Sequence, residues 1–147
     1  MRIVVDTNVV FSAILNSNSR ISKIILQPRT KLNFCSTDHL IQEINDHKEK
    51  LRKLTTFSEK ELNRAIQLIT DRIRFINVSI IPKVSYEKAE SLASDIDEDD
   101  IEFIALVDHI KGRLWTGDKE LRHGLEMKKW TRFITTDELF EIIIMKK

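Results

Sequence analysis

Ile3-Val4-Val5 ends on Asp6, with Thr7-Asn8 just beyond it. Three successive β-branched residues favour a strand over a helix, and with no polar residue alternating among them both faces of that strand need cover. Such a strand belongs in a parallel sheet with helices on either side, the α/β architecture. Asp6 then stands at the strand's carboxyl end, the edge at which open α/β sheets bind their ligands.

The remaining pattern alternates as that architecture requires. After the strand comes a helix from about residue 7 to 16, and Ser19 caps a second one through Ile21, Ile24 and Ile25 that stops near Pro28. Residues 33–36 read as a strand. Leu40, Ile44, His47 and Leu51 recur at helical spacing and predict one long amphipathic helix, and Ser58-x-x-Glu61 is a capping box that opens its hairpin partner. Residues 75–78 read as a third strand. Ser85 is expected to cap a helix through Ala89, Leu92, Ala93 and Ile96, and Asp99-x-x-Glu102 to cap the next, which is apolar at Phe103, Ile104, Leu106, Val107 and Ile110. Residues 113–116 and 132–135 complete the strands, each ending shortly before an acid, Asp118 and Asp137. This βα alternation predicts a mainly parallel central sheet with helices on both faces.

Composition sets the bounds. A chain of 147 residues that is 41% apolar can bury its own core, and with three glycines, two prolines and no polar linker it reads as one domain over residues 1–147. A lone Cys35 leaves no internal disulfide, and the early acid does not suit a secretory leader, so a soluble, cytoplasmic protein without a membrane span is expected. A net charge of +1 does not announce a nucleic-acid binder. Residues 111–132 do carry seven basic against three acidic side chains, which reads equally as a solvated face or as a phosphate-contacting one.

The acids carry the chemistry, and each has a plainer role beside it. Asp6 would cap the following helix. Glu43 sits at the edge of an apolar helical stripe, where an unpaired charge is costly unless a salt bridge, a donor or a cation meets it. Asp97, Glu98, Asp99 and Asp100 form an acidic run that would ordinarily be a solvated loop. With Asp99 as the cap, Asp100 extends the Phe103, Ile104, Val107 stripe backward and points inward. Asp118 follows Trp115-Thr116-Gly117, a strand turning through a glycine. Asp137 lies inside the Thr135-x-x-Glu138 box as a first-turn acid. Several carboxylates gathered at one point repel each other, so they share protons or hold a cation. Oxygen ligands favour Mg²⁺ or Mn²⁺ over zinc, and His39, His47, His109 and His123 lack zinc-site spacing and read as surface or core residues. Hard ligands around a divalent ion suit phosphate chemistry, in which the ion lowers the pKa of an attacking water.

Asp6-Thr7-Asn8-Val9 with Ser12-Ala13, then Asp99-Asp100-Ile101-Glu102-Phe103-Ile104-Ala105-Leu106, then Trp115-Thr116-Gly117-Asp118-Lys119-Glu120-Leu121 together make a sequence that resembles the PIN-domain family over essentially the whole chain. Among PIN domains it is most similar to the VapC-like toxins of toxin–antitoxin operons. The resemblance implies a three-layer α/β/α fold. It puts the family's four acids on Asp6, Glu43, Asp100 and Asp118, with Asp46 or Glu49 as fallbacks for Glu43 and Asp99 adjacent to Asp100. Thr7, Asn8, Asp99 and Thr116 would support them, and Asp137 stands where some members carry a fifth acid. It further implies Mg²⁺- or Mn²⁺-dependent cleavage of RNA, a homodimer and a neutralising antitoxin.

Three functions compete. The first is an endoribonuclease in which Asp6, Glu43, Asp100 and Asp118 hold the metal, a metal-activated water hydrolyses the phosphodiester, and Lys119 and Arg122 hold the RNA backbone. A haloacid-dehalogenase-like phosphatase also opens with a strand ending in Asp, but needs a second acid two residues on, where this chain has Asn8. A catalytically silent PIN-like module that binds RNA or a protein would be marked by loss of an acid, and all four are present.

Overall fold

The computed structural model describes residues 1–28 and 31–145. In it Ile3, Val4 and Val5 are fully buried in β1 (Arg2–Val5), the middle strand of a five-stranded sheet. β2 (Asn33–Thr37) and β3 (Ile73–Ile76) lie on one side of it, β4 (Arg113–Trp115) and β5 (Phe133–Ile134) on the other. The order is β3-β2-β1-β4-β5 and every pairing is parallel. Parallel neighbours need a crossover, and the helices supply it on both faces.

One face packs α1 (Thr7–Leu15), α2 (Arg20–Ile25), α3 (His39–Asp46), α4 (Lys48–Lys53), α5 (Glu59–Thr70) and α9 (Thr136–Met145); the other packs α6 (Lys83–Ala93), α7 (Ile101–Ile110) and α8 (Lys119–Met127). Alternation along β1 divides it between two cores: Ile3 and Val5 join the first, Val4 the second. The three-layer α/β/α architecture is therefore present.

Several boundaries differ from the sequence expectation, each for a local reason. The long amphipathic helix breaks at His47, whose backbone (φ −103°, ψ 11°) leaves the helical region between α3 and α4. The third strand begins two residues early, because Ile73 is buried opposite Phe34, while Asn77 accepts from the Ser79 N–H and turns residues 78–80 into a 3₁₀ turn. Ser85 does not cap α6, which starts after Pro82; it is buried and its hydroxyl donates to Asp108 Oδ2 at 2.7 Å. Asp99 is not the cap ahead of α7. That helix is preceded by a 3₁₀ turn (Glu98–Asp100) capped by Asp97, whose Oδ1 accepts the Asp99 N–H at 3.0 Å, while Glu102 meets His39 Nδ1 at 2.7 Å instead of closing a box. The Ser58/Glu61 and Thr135/Glu138 capping boxes both form.

Candidate active site

Adjacent strands set two of the acids side by side. Val5 of β1 is in register with Trp115 of β4, and the chain leaves both strands at the same edge. Asp6 then caps α1, its Oδ1 accepting the Val9 N–H at 2.9 Å. Asp118 caps α8 in the same way, through the Leu121 N–H at 3.0 Å. Thr116 ties the two together, since its Oγ1 accepts the Asp118 N–H at 3.1 Å and its hydroxyl hydrogen-bonds the Asp6 carboxylate. Capping and site-lining are thus compatible here: each carboxylate uses one oxygen on its helix.

The turn before α7 brings the third group. One oxygen from each of Asp97, Asp100 and Asp118 lies within 4.8 Å of the others. These three, with Asp6 and the half-buried Glu43 of α3, line a cleft of about 470 Å³ at the carboxyl end of the sheet. Thr7, Asn8 and Asp99 line it too, and the apolar wall comes from Phe11 and Phe103.

Burial raises the Asp6 carboxyl above its ordinary range; the Thr116 hydroxyl and the Val9 N–H oppose that, and the charge of Asp118 adds to it. Asp100 is pushed up to about 7, first by burial and then by the charges of Asp97, Asp6 and Asp118. Gathering these groups is therefore unfavourable without a proton or a cation. A convergent set of hard oxygen donors, with carboxyls held above their usual range, fits a divalent cation.

Other expected residues lie elsewhere. Asp137 is outside the cleft lining, where its Oδ1 accepts from Arg20 Nη1 at 2.7 Å across α2 and α9. Arg122 is engaged along α8, with Nε on Glu126 at 2.9 Å and its guanidinium over the Phe133 ring at 5.6 Å, so it does not face the cleft as a backbone clamp. Lys119 is exposed on the first turn of α8 and is likewise not among the lining residues. Asp46 and Glu49 are exposed, and neither lines the cleft.

Three lining residues were not singled out as site residues: Asp97, His47 and Lys50. Asp97 was legible only as part of an acidic run. His47 holds its place through Nδ1, which donates to the Glu43 carbonyl at 2.9 Å, and through a tilted ring contact with Phe11. Lys50 shares the cleft with six carboxylates, yet among the described residues it lies within ion-pair distance of none.

The PIN-domain family model matches residues 4–138. No curated protein matches the sequence. Among solved structures, a chain from the crystal structure of VapBC2 from Rickettsia felis bound to a DNA fragment from their promoter is similar in fold, with a TM-score of 0.66 and 12% identity over 92% of this chain and 97% of that one. Among the described residues, no helix is long and apolar enough to cross a membrane.

Proposed function

We infer, for a chain that belongs to the PIN-domain family, that residues 1–147 form one nuclease domain, a Mg²⁺- or Mn²⁺-dependent endoribonuclease. The observation that carries this reading is the convergence of carboxylate oxygens from Asp97, Asp100 and Asp118 beside Asp6 and Glu43 in one cleft at the carboxyl edge of a parallel sheet. Asp6, Glu43, Asp100 and Asp118 would hold the cation, with Asp97 as a further ligand, and Thr7, Asn8, Asp99 and Thr116 as supporting groups. When bound, such a cation withdraws charge from a phosphoryl oxygen and lowers the pKa of water, which is what phosphodiester hydrolysis requires.

The protein's own groups supply orientation. Thr116 holds Asp6 and the loop of Asp118 in fixed relation, so the two carboxylates do not need to reorganise when charge arrives. Lys50, which meets no carboxylate at ion-pair distance among the described residues, would meet a substrate phosphate in this acidic cleft. Asp100, held at about 7 by burial and its acidic neighbours, would have to be deprotonated to hold the cation.

The reading extends to the toxin of a toxin–antitoxin pair, a cytoplasmic homodimer with a cognate antitoxin as partner and RNA as substrate. The fold likeness to a chain from a VapBC complex supports it. The test is incubation of the purified protein with total RNA, with and without Mn²⁺. Cleavage that needs Mn²⁺ and is abolished in Asp118→Asn is expected; cleavage in EDTA, or an unchanged rate in that variant, overturns the metal-dependent reading. Sedimentation at micromolar concentration tests the dimer.

A further inference from the structure

The amino end of the sheet departs from what a parallel sheet demands. Strands covered on both faces should be apolar throughout, yet β3 presents Arg74, exposed, between buried Ile73 and half-buried Phe75. Register aligns Arg74 with Cys35 and Asn33 with Arg2, and alternation along β2 sets all four on one face of the sheet, the face that Val4 turns toward α7. α7 stops at Ile110, whose carbonyl accepts from Arg2 Nη1 at 2.9 Å. Beyond its last turn the β2–β3 corner is open, a basin of about 530 Å³ whose polar lining is Arg2, Asn33, Asp71, Arg72 and Arg74.

The basin's lining carries three arginines against one acid. Its one acid, Asp71, accepts from Gln67 Nε2 at 2.6 Å. Among the described residues, neither Arg72 nor Arg74 meets a carboxylate within ion-pair distance. Both Arg74 and Arg2 lie near enough to Cys35 for their charges to act on its thiol, whose pKa burial raises against them. A net positive lining of this kind favours an anion. Guanidinium planes match phosphate in bidentate fashion. The apolar residues of the lining, Leu32, Phe34 and Ile73, are buried in the core, so the basin offers no apolar anchor of the kind a protein partner's hot spot needs.

We propose that this basin is a docking site for the phosphodiester backbone of RNA, separate from the acidic cleft. β1 runs between them, four residues long, or about 13 Å at strand rise. The choice of RNA as the occupant rests on the nuclease reading, and a binding test without divalent metal keeps a failure of docking distinguishable from a failure of cleavage.

The experiment titrates fluorescein-labelled single-stranded RNA against the full chain in EDTA, by anisotropy, over a range of KCl. The double variant Arg72→Glu/Arg74→Glu should bind about tenfold or more weakly, and its slope of log K against log salt should be shallower by about 1.4, two phosphate contacts at about 0.7 each. Arg72→Gln/Arg74→Gln, with the wild-type melting temperature as its folding control, should move affinity and slope in the same direction if the glutamate variant fails to fold. Unchanged affinity and slope in the folded variant overturn the proposal, as does binding lost in Lys50→Ala but intact in the arginine variant. Poly-glutamate that binds as tightly as RNA, and is lost in the same variant, overturns it in favour of an acidic protein segment.

Discussion

The carboxyl of Asp100, 9% exposed and surrounded by the charges of Asp97, Asp6 and Asp118, is held at about 7. A folded-state pKa raised above the unfolded value stabilises the fold most below the unfolded pKa, and that contribution is lost as the pH rises through the folded one. The metal-free protein should therefore melt higher as the pH falls from about 8 toward about 5, by up to about 1.4 kcal/mol per unit below 7 from this group. Asp100→Asn should flatten that dependence and raise the metal-free melting temperature at the alkaline end. Thermal scans in EDTA across that range check it, and an unchanged slope in the variant would assign the pH response elsewhere. Asp97 makes a second prediction: Asn caps as well as Asp, so Asp97→Asn should keep the turn while removing a charge that acts on Asp100, melting somewhat higher than wild type in EDTA and binding Mn²⁺ several-fold or more weakly by calorimetric titration. Asp99→Asn, at an exposed position without a capping bond, should alter neither strongly. Asp6, Asp100 and Asp118 were legible because strand ends and a helix stripe locate them in the sequence. Asp97 was not, since only the 3₁₀ turn before α7 swings it back into the cleft.

Glycine positions separate what an element needs from what its sequence suggests. The chain turns through Gly117 after Trp115-Thr116, yet Gly117 does not adopt a positive φ, and a Cβ there would meet nothing within 4 Å. Gly112 carries the constraint, because a Cβ would stand 2.8 Å from the Arg2 carbonyl oxygen, on the middle strand's backbone, which cannot step aside. Gly112→Ala should destabilise by about 1–3 kcal/mol, whereas Gly117→Ala should be neutral or stabilising by roughly 0.4–1 kcal/mol through the unfolded chain. Urea midpoints of the two variants decide the ranking. β1 and α7 were legible almost residue by residue, since a β-branched run and a dense apolar stripe each admit one reading. The break at His47 was not. Leu40, Ile44 and Leu51 keep helical spacing across it, and two contacts mark the break: a tertiary one, the Phe11 ring against the imidazole, and a local one, Nδ1 on the Glu43 carbonyl four residues back.

Across the whole molecule, charge is sorted by the sheet rather than by the chain. The basic stretch over residues 111–132 disperses, with Arg122 on Glu126 and Lys128 on Asp95. Arg2 joins Arg72 and Arg74, some seventy residues later, at the amino end of the sheet, and Asp6, Asp97, Asp100 and Asp118 gather at the carboxyl end. No local pattern reports such convergence, because parallel topology alone brings the strand ends together. The acidic end should govern stability as a unit. Without a cation its mutual repulsion weakens the fold, and a cation that binds only the folded state adds RT ln(1 + [L]/Kd), about 2.7 kcal/mol at a hundredfold excess over Kd. For a chain of this length that corresponds to a rise of roughly 5–10 °C in Tm. Asp6→Asn removes one charge from the cluster while keeping an acceptor for the Val9 N–H, so it should melt higher than wild type in EDTA and respond less to Mn²⁺. The Mn²⁺ gain in the wild type should also shrink as the pH falls below about 7, where protons compete for Asp100. Thermal scans of both proteins over Mn²⁺ concentration at two pH values test all three expectations. An equal shift in the variant, or none in the wild type, would mean that these carboxylates do not act as one cation site.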